Sequence, residues 1–376
     1  MARWSAGPFR FYYEKLRNAP VDVNKLKSVQ LMKQVIPQGI AFHHAGLLPI
    51  IKEAVEDLFG RGLIKVLYAT ETFAVGINMP AKTVCFDNLR KFDGFNFRPL
   101  NTKEYFQIAG RAGRRGIDTQ GYVVSMIFRP TFNIEEVKAI TTKDVEPIKS
   151  QFKLCVNTVL NLIHMHTPED IEHILRLSFF SYQKFGIKYD AVPTTVLLAR
   201  YNSIVRQLTK YGYVEKGKLS EKGIFASQIF ADEISMGEVF ATTFWEKLNE
   251  YQMLLLLGTL TYEGRESNKF EKVQHTSEFG SLRRLLLDNE YLSHEKKFQN
   301  IEIMDSIINP LCAGKTFFEI LKNTNLLEGD LIRILAQIMD RLGQIKKASR
   351  NYNLNNRVLN CKGIVERTLE GIYLVG

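Results

Sequence analysis

Hydrophobic and polar positions change rhythm twice along this chain. From about residue 39 to 129, short β-branched runs alternate with stretches of helical period. GIAFHH, IKVLYAT, KTVCFDN and GYVVSMIF read as strands, and PIIKEAVEDLFGRG and NTKEYFQIAGRAGRR read as helices. Strands alternating with helices predict a mostly parallel sheet with helices on both faces. From 134 to about 229 the pattern is mostly helical and ends in RQLTKYGYVEKGKLSEKG. There a helix runs into two strand-like pieces around a Lys-Gly-Lys turn. That is the shape of a winged helix, or simply of a helix and a hairpin packed on a neighbour. From 230 onward nearly everything has a period near 3.6. Leu331, Ile334, Leu335, Ile338, Met339 and Leu342 form one apolar stripe.

Composition narrows the classes. With 45% hydrophobic residues, disorder along the whole chain is excluded. The net charge of +10 points to an anionic partner or to a basic but inert surface. Cys85, Cys155, Cys312 and Cys361 are far apart and lack C-x-x-C spacing. A reducing, intracellular setting is expected (cytoplasm, nucleus, or a prokaryotic or viral one), and no membrane partner.

Two segments carry chemistry. In QIAGRAGRRG, Arg111 and Arg114 stand three apart after Gln107. On a helix they would share a face and point into one cleft, or form a solvated basic helix end. Guanidinium forks suit the charge that develops on a transferred phosphoryl group. Gly110 and Gly113 carry no side chain and would let another backbone or a ligand approach closely. In VLYATETFAVGINMPAK, a strand leads through Thr70 and Thr72 toward a helix start, a place that favours phosphate. Asp93-Gly94 between apolar runs predicts a hairpin. Arg333, Gln337 and Arg341, at spacings of four, predict a polar face opposite the apolar stripe, for phosphate or for solvent. His43-His44 invites a metal reading or a packed strand-end role; no metal site is expected from a lone pair.

In this order and spacing, His43–Pro49, Ala69–Lys82 and Gln107–Gly116 resemble the second RecA-like domain of superfamily 2 helicases. More closely, the stretch resembles the superkiller/exosome-associated branch of DExH-box RNA helicases. The DNA-unwinding branch usually has Pro where Glu71 stands and Leu where Met79 stands. The resemblance continues through Leu177–Gln183 and Leu327–Arg333. It implies a second RecA-like domain at 39–133, a winged helix at 134–228 and a ratchet-like helical bundle at 229–376, with 1–38 unassigned. It implies that Arg111 and Arg114 reach ATP with Mg²⁺ bound mainly on a first RecA-like domain, and that Gln107 positions the nucleotide or attacking water. Thr70 and Thr72 would touch the nucleic-acid backbone, and Gly76 and Asn78 would sit at the cleft beside ATP. Phe92 to Phe97 would wedge a duplex, or be an ordinary exposed hairpin. Arg333, Gln337 and Arg341 would line the RNA path, with DNA as a possible substrate.

The sequence contains no Walker A loop and no acidic Mg²⁺ box of its own. Ala313-Gly314-Lys315-Thr316 follows Asn309 and Pro310 rather than a strand, and Asp232-Glu233-Ile234-Ser235 lacks a preceding strand and a final His. Both are read as imitations. The resemblance therefore implies the C-terminal part of an ATP-dependent RNA helicase, inactive as this chain alone and needing a first RecA-like domain. The alternative is a non-catalytic nucleic-acid-binding module derived from one. Only about ten residues separate Gln183 from Thr194, where exosome-associated relatives often carry a long arch. This puts exosome association in doubt.

Overall fold

The computed structural model describes residues 6–17, 21–70, 80–92, 96–128, 130, 133–142, 147–264, 267–370 and 372. The chain divides into two compact units, 1–148 and 149–376.

The first unit opens with helices α1 (Ala6–Leu16) and α2 (Lys27–Val35), within the stretch the sequence left unassigned. Strand β1 (Ile40–His43) follows, then α3 (Pro49–Gly60) and β2 (Val66–Ala69). Pro49 stands at the start of α3, where its missing N–H costs no helical bond. Ile51, Ala54, Val55 and Leu58 form the buried stripe of α3, against which α1 packs. Lys15 on α1 pairs with Asp57 on α3 at 2.7 Å.

Next come β3 (Thr83–Phe86), β4 (Arg90–Phe92), β5 (Phe97–Pro99), α4 (Thr102–Ala109), β6 (Tyr122–Ser125) and α5 (Ile134–Thr141). β1 pairs with β2 and β3 with β6, both in parallel, as strand–helix–strand alternation predicts. A second core of Phe86, Leu89, Leu100, Tyr105, Ala109 and Ile140 joins the end of β3 to α4 and α5. The expected cover on both faces is not found over the described strands. Tyr68 on β2 is 69% exposed and Val124 on β6 is 51% exposed. Each described parallel ladder is only two strands wide.

The second unit is mostly helical. It begins with α6 (Val156–Met165), α7 (Pro168–Arg176), α8 (Phe179–Phe185), α9 (Thr194–Leu197) and α10 (Ala199–Lys210). A hairpin of β7 (Val214–Glu215) and β8 (Lys218–Leu219) leads to α11 (Glu221–Ser227). Lys216 and Gly217 both take left-handed φ, +49° and +76°. That two-residue turn follows the twist of the strands it joins. Val159, Leu160, Ile204, Leu208, Tyr213, Val214 and Ala226 close one core under the hairpin.

The remaining helices are α12 (Glu233–Phe240), α13 (Glu250–Thr261), α14 (Ser277–Leu287), α15 (Ile301–Cys312), α16 (Phe317–Leu321), α17 (Glu328–Ala348) and α18 (Tyr352–Leu369). α13 is buried at every position from Gln252 to Thr261 and packs against α15, α17 and α18. On α17 the anticipated stripe is buried at Leu331, Ile334, Leu335, Ile338 and Leu342, and half-buried at Met339.

Candidate functional site

The arginine segment begins with a capped helix. Asn101 accepts the amide of Glu104 at 2.8 Å, and Glu104 returns the bond to the Asn101 amide at 2.9 Å. Such a reciprocal pair fixes a helix start. Glu104 also binds Arg98 through both oxygens, at 2.7 and 2.8 Å, and Lys91 at 2.8 Å. Arg98 foremost, with Lys91, holds the Glu104 carboxyl down at about 2. The hairpin β4–β5 is thereby tied to the helix that carries Gln107, which is exposed on α4.

Arg111 and Arg114 do not share a helical face: α4 ends at Ala109. The chain leaves the helix because a second backbone claims it. Ala81 donates to the Arg111 carbonyl at 3.0 Å and accepts from the Gly113 amide at 2.8 Å. Gly113 has φ +89°, and a Cβ on Gly121 would lie 2.5 Å from the Ala112 carbonyl carbon. The glycines thus allow the close backbone approach anticipated, and the same approach stops the helix.

The following turn holds Arg114. Its Nε and Nη2 donate to the two oxygens of Asp118, at 2.7 and 2.9 Å, and its amide donates to Asp118 at 3.0 Å. Those bonds, with the nearby Lys82 charge, hold the Asp118 carboxyl at about 2. The Arg114 side chain remains 40% exposed. Asp118 takes two of the five guanidinium donors. Sequence reasoning passed over Asp118. Its signal was an acid four residues after an arginine.

Thr70 follows β2 and is exposed, its amide bonded to the His43 carbonyl at 3.1 Å. Thr72, Gly76 and Asn78 lie outside the described residues. His43 is buried and bonds through Nε2 to Glu56 at 2.8 Å, in keeping with a strand-end role. His44 accepts the Gly46 amide at 3.1 Å. The hairpin forms as predicted. Phe92 pairs across it with Phe97, ring centroids 5.4 Å apart, and the two side chains are 56% and 67% exposed. The turn residues 93–95 lie outside the described set.

In the second unit, Arg333 and Gln337 line a small cavity of about 100 Å³ with Tyr262, Asn268 and Asp330. Arg333 is exposed and pairs with Asp330 at 3.0 Å. Arg341, expected on the same open face, is buried. Its Nη2 donates to Asp232 at 2.6 Å and to the Leu260 carbonyl at 3.4 Å. Eight residues at 3.6 per turn rotate Arg341 by about 80° from Arg333, onto the inner side of α17. Lys297 joins the same carboxylate at 2.8 Å.

Both imitation motifs have structural uses. Thr316 caps α16, accepting the Glu319 amide at 3.3 Å. Asp232 is the shared anion of Lys297 and Arg341. Among the described residues no group of three or more histidine, cysteine or acidic side chains is gathered to hold a metal, and no helix is long and apolar enough to cross a membrane.

Comparison with known proteins adds the lineage. The helicase conserved C-terminal domain model matches residues 18–116, and the DSHCT (NUC185) domain model matches residues 216–369. The human exosome RNA helicase MTR4 is 45% identical over 189 residues, which is 48% of this chain and 17% of that protein. The DExH-box ATP-dependent RNA helicase DExH9 of Arabidopsis thaliana is 46% identical over 162 residues, 43% of this chain and 16% of that protein. The antiviral helicase SKI2 of Saccharomyces cerevisiae is 44% identical over 154 residues, 41% of this chain and 12% of that protein. The matched stretches therefore span less than a fifth of each of these relatives.

Proposed function

From a chain related through its helicase C-terminal and DSHCT domains to the superkiller and exosome-associated DExH RNA helicases, we propose the C-terminal working part of an ATP-dependent RNA helicase. ATP with Mg²⁺ is held on a first RecA-like domain whose phosphate loop this sequence does not contain. Arg111 and Arg114 are its arginine fingers, and Gln107 assists at the nucleotide. Gly76 and Asn78 belong to the cleft, Thr70 and Thr72 to the RNA backbone, and Phe92 and Phe97 to a strand-separating hairpin. Residues 134–228 form a winged-helix domain, and Arg333 and Gln337 on α17 contact the RNA strand.

One observation carries the reading. Arg114 stands on a turn held by the Ala81 ladder and is gripped on one edge by Asp118. A guanidinium fixed in that way keeps its Nη1 donors aimed and loses little freedom when an anion arrives. Arg114 and Asp118 together carry no net charge, so an incoming phosphate meets a directed donor rather than a diffuse basic surface.

The Arg114–Asp118 pair also supports a second reading, a nucleic-acid-binding module whose arginine is satisfied without any nucleotide. ATP hydrolysis by the chain joined to a first RecA-like domain, with RNA present, separates the two. Loss of turnover in Arg114→Ala and Arg111→Ala with RNA affinity retained supports the helicase. Variants that alter only RNA affinity support the module. α8, a short 3₁₀ turn and α9 follow one another without an arch, so docking on an exosome forms no part of the proposal.

A further inference from the structure

Helix α8 carries its aromatic side chains outward. Phe179, Phe180 and Tyr182 are 50%, 39% and 49% exposed, and Phe152 beside them is 41% exposed. They are not loosely held. Ser178 accepts the Ser181 amide at 3.2 Å, and the buried Ser181 hydroxyl donates to the Leu175 carbonyl at 2.8 Å. Arg176 donates to the carbonyls of Asp190 and Val192, both at 2.7 Å, and so braces the chain that returns past α8. The rings of Phe179 and Tyr182 lie nearly parallel, 15° apart with centroids at 6.3 Å, and Phe152 lies 6.4 Å from Phe180.

One cation lies against the rings on the Phe180 side. The Lys184 ammonium sits 5.6 Å from the Phe180 centroid and 5.2 Å from that of Phe185. A cavity of about 390 Å³ opens here, lined by Phe152, Phe180 and Phe185 together with Lys153, Lys184 and Arg200, and no carboxylate lines it among the described residues. Of the three acids on neighbouring α7, Glu172 is paired with Arg176 at 2.6 Å and Asp170 is bonded to Thr167 at the start of the helix.

We propose that this face is a stacking platform for single-stranded nucleic acid, separate from the α17 surface. An apolar peptide laid over the rings would cover Lys184 without giving it a counter-charge, and desolvating an unpaired ammonium is unfavourable. A nucleic-acid strand satisfies both kinds of group at once. Its bases stack on the rings, and its phosphates reach Lys153, Lys184 and Arg200. Stacking of this kind tolerates any base, so the platform holds strand and not sequence. The assignment does not depend on the arginine-finger reading.

Fluorescence anisotropy of the full chain with labelled twelve-nucleotide oligo(U) and oligo(dT), over a salt series, tests it. The double variant Phe179→Ala/Tyr182→Ala binds about tenfold or more weakly, and Tyr182→Phe binds as the parent does. Lys184→Gln lowers the slope of log affinity against log salt by about one. A 4-thiouridine oligomer cross-links to residues 179–185 of the parent chain. Affinities unchanged in the double variant and in Lys184→Gln overturn the platform, as do cross-links confined to α17. In both outcomes weakened binding by Arg333→Ala leaves the helicase reading standing. A Leu- and Glu-rich peptide that binds this face more tightly than oligo(U) overturns the nucleic-acid assignment in favour of a protein partner.

Discussion

Asp118 grips Arg114 with both carboxylate oxygens and accepts its backbone amide as well. The guanidinium therefore has one edge fixed. Asp118→Asn removes the charge that orients Arg114 and keeps the shape. In the chain joined to a first RecA-like domain, RNA-stimulated ATP turnover should fall at least tenfold in Asp118→Asn while RNA affinity changes little. Arg114→Lys should not restore turnover, because an ammonium cannot be held on one edge and donate from the other. Turnover unaffected by Asp118→Asn would mean that the clamp serves folding alone.

Glu104 gives a pH signature. Arg98 and Lys91 hold its carboxyl at about 2, below the ordinary value of about 4.3 for an unfolded chain. Its stabilisation is therefore complete above the unfolded value and is lost as pH falls through the folded one. After solvent screening it is worth about 1–2 kcal/mol. Glu104→Gln should lower the melting temperature of the first unit at pH 7, and the gap to the parent should close in melts between pH 4 and pH 2. A gap that persists at pH 2 would remove the ion pairs as its cause.

The Asp232 cluster predicts an order of severity. Asp232→Asn leaves both Lys297 and Arg341 without a full counter-charge, one of them buried, and should cost about 3 kcal/mol. Lys297→Ala removes the more exposed partner, leaves Arg341 on the carboxylate, and should cost about 1 kcal/mol. Urea melts of the three proteins measure this. Equal losses would show that Arg341 does not hold Asp232 once Lys297 is gone. None of these changes should alter the salt slope of RNA binding.

Arg333 has the opposite character. It is exposed, so Arg333→Ala should leave the melting temperature within about a degree and weaken RNA binding, with the salt slope reduced by about one. Gln337→Ala carries no charge change and should weaken binding without moving the slope. Slopes unchanged in Arg333→Ala would take α17 off the RNA path.

Much of this was written in local pattern. β-Branched runs between turn signals located β1, β2, β3 and β6, and Asp93-Gly94 marked the hairpin that sets Phe92 opposite Phe97. Those are short-range properties, settled within a few residues. The end of α4 was not legible, because it depends on Ala81 and Gly121 closing on residues 111–113 from elsewhere in the chain. Arg341 was misplaced for a similar reason. A spacing of four looks like one face over a single step and drifts inward over two, and its partner Asp232 lies 109 residues upstream. The aromatic segment 177–183 was visible as a landmark. That its rings stay outside follows from the bracing of α8, which no periodicity records.

That long separation sets a timetable during synthesis. At about 5–20 residues per second, Asp232 leaves the ribosome's active centre some 5–20 seconds before Arg341 exists to meet it. Lys297, 65 residues after Asp232, is made first and can meet both Asp232 and the Leu260 carbonyl while Arg341 is still to come. The second unit is thus locked from its far end. A nascent chain halted before α17 carries the hairpin core around Tyr213 and lacks the ion pair that fastens α12 to α17.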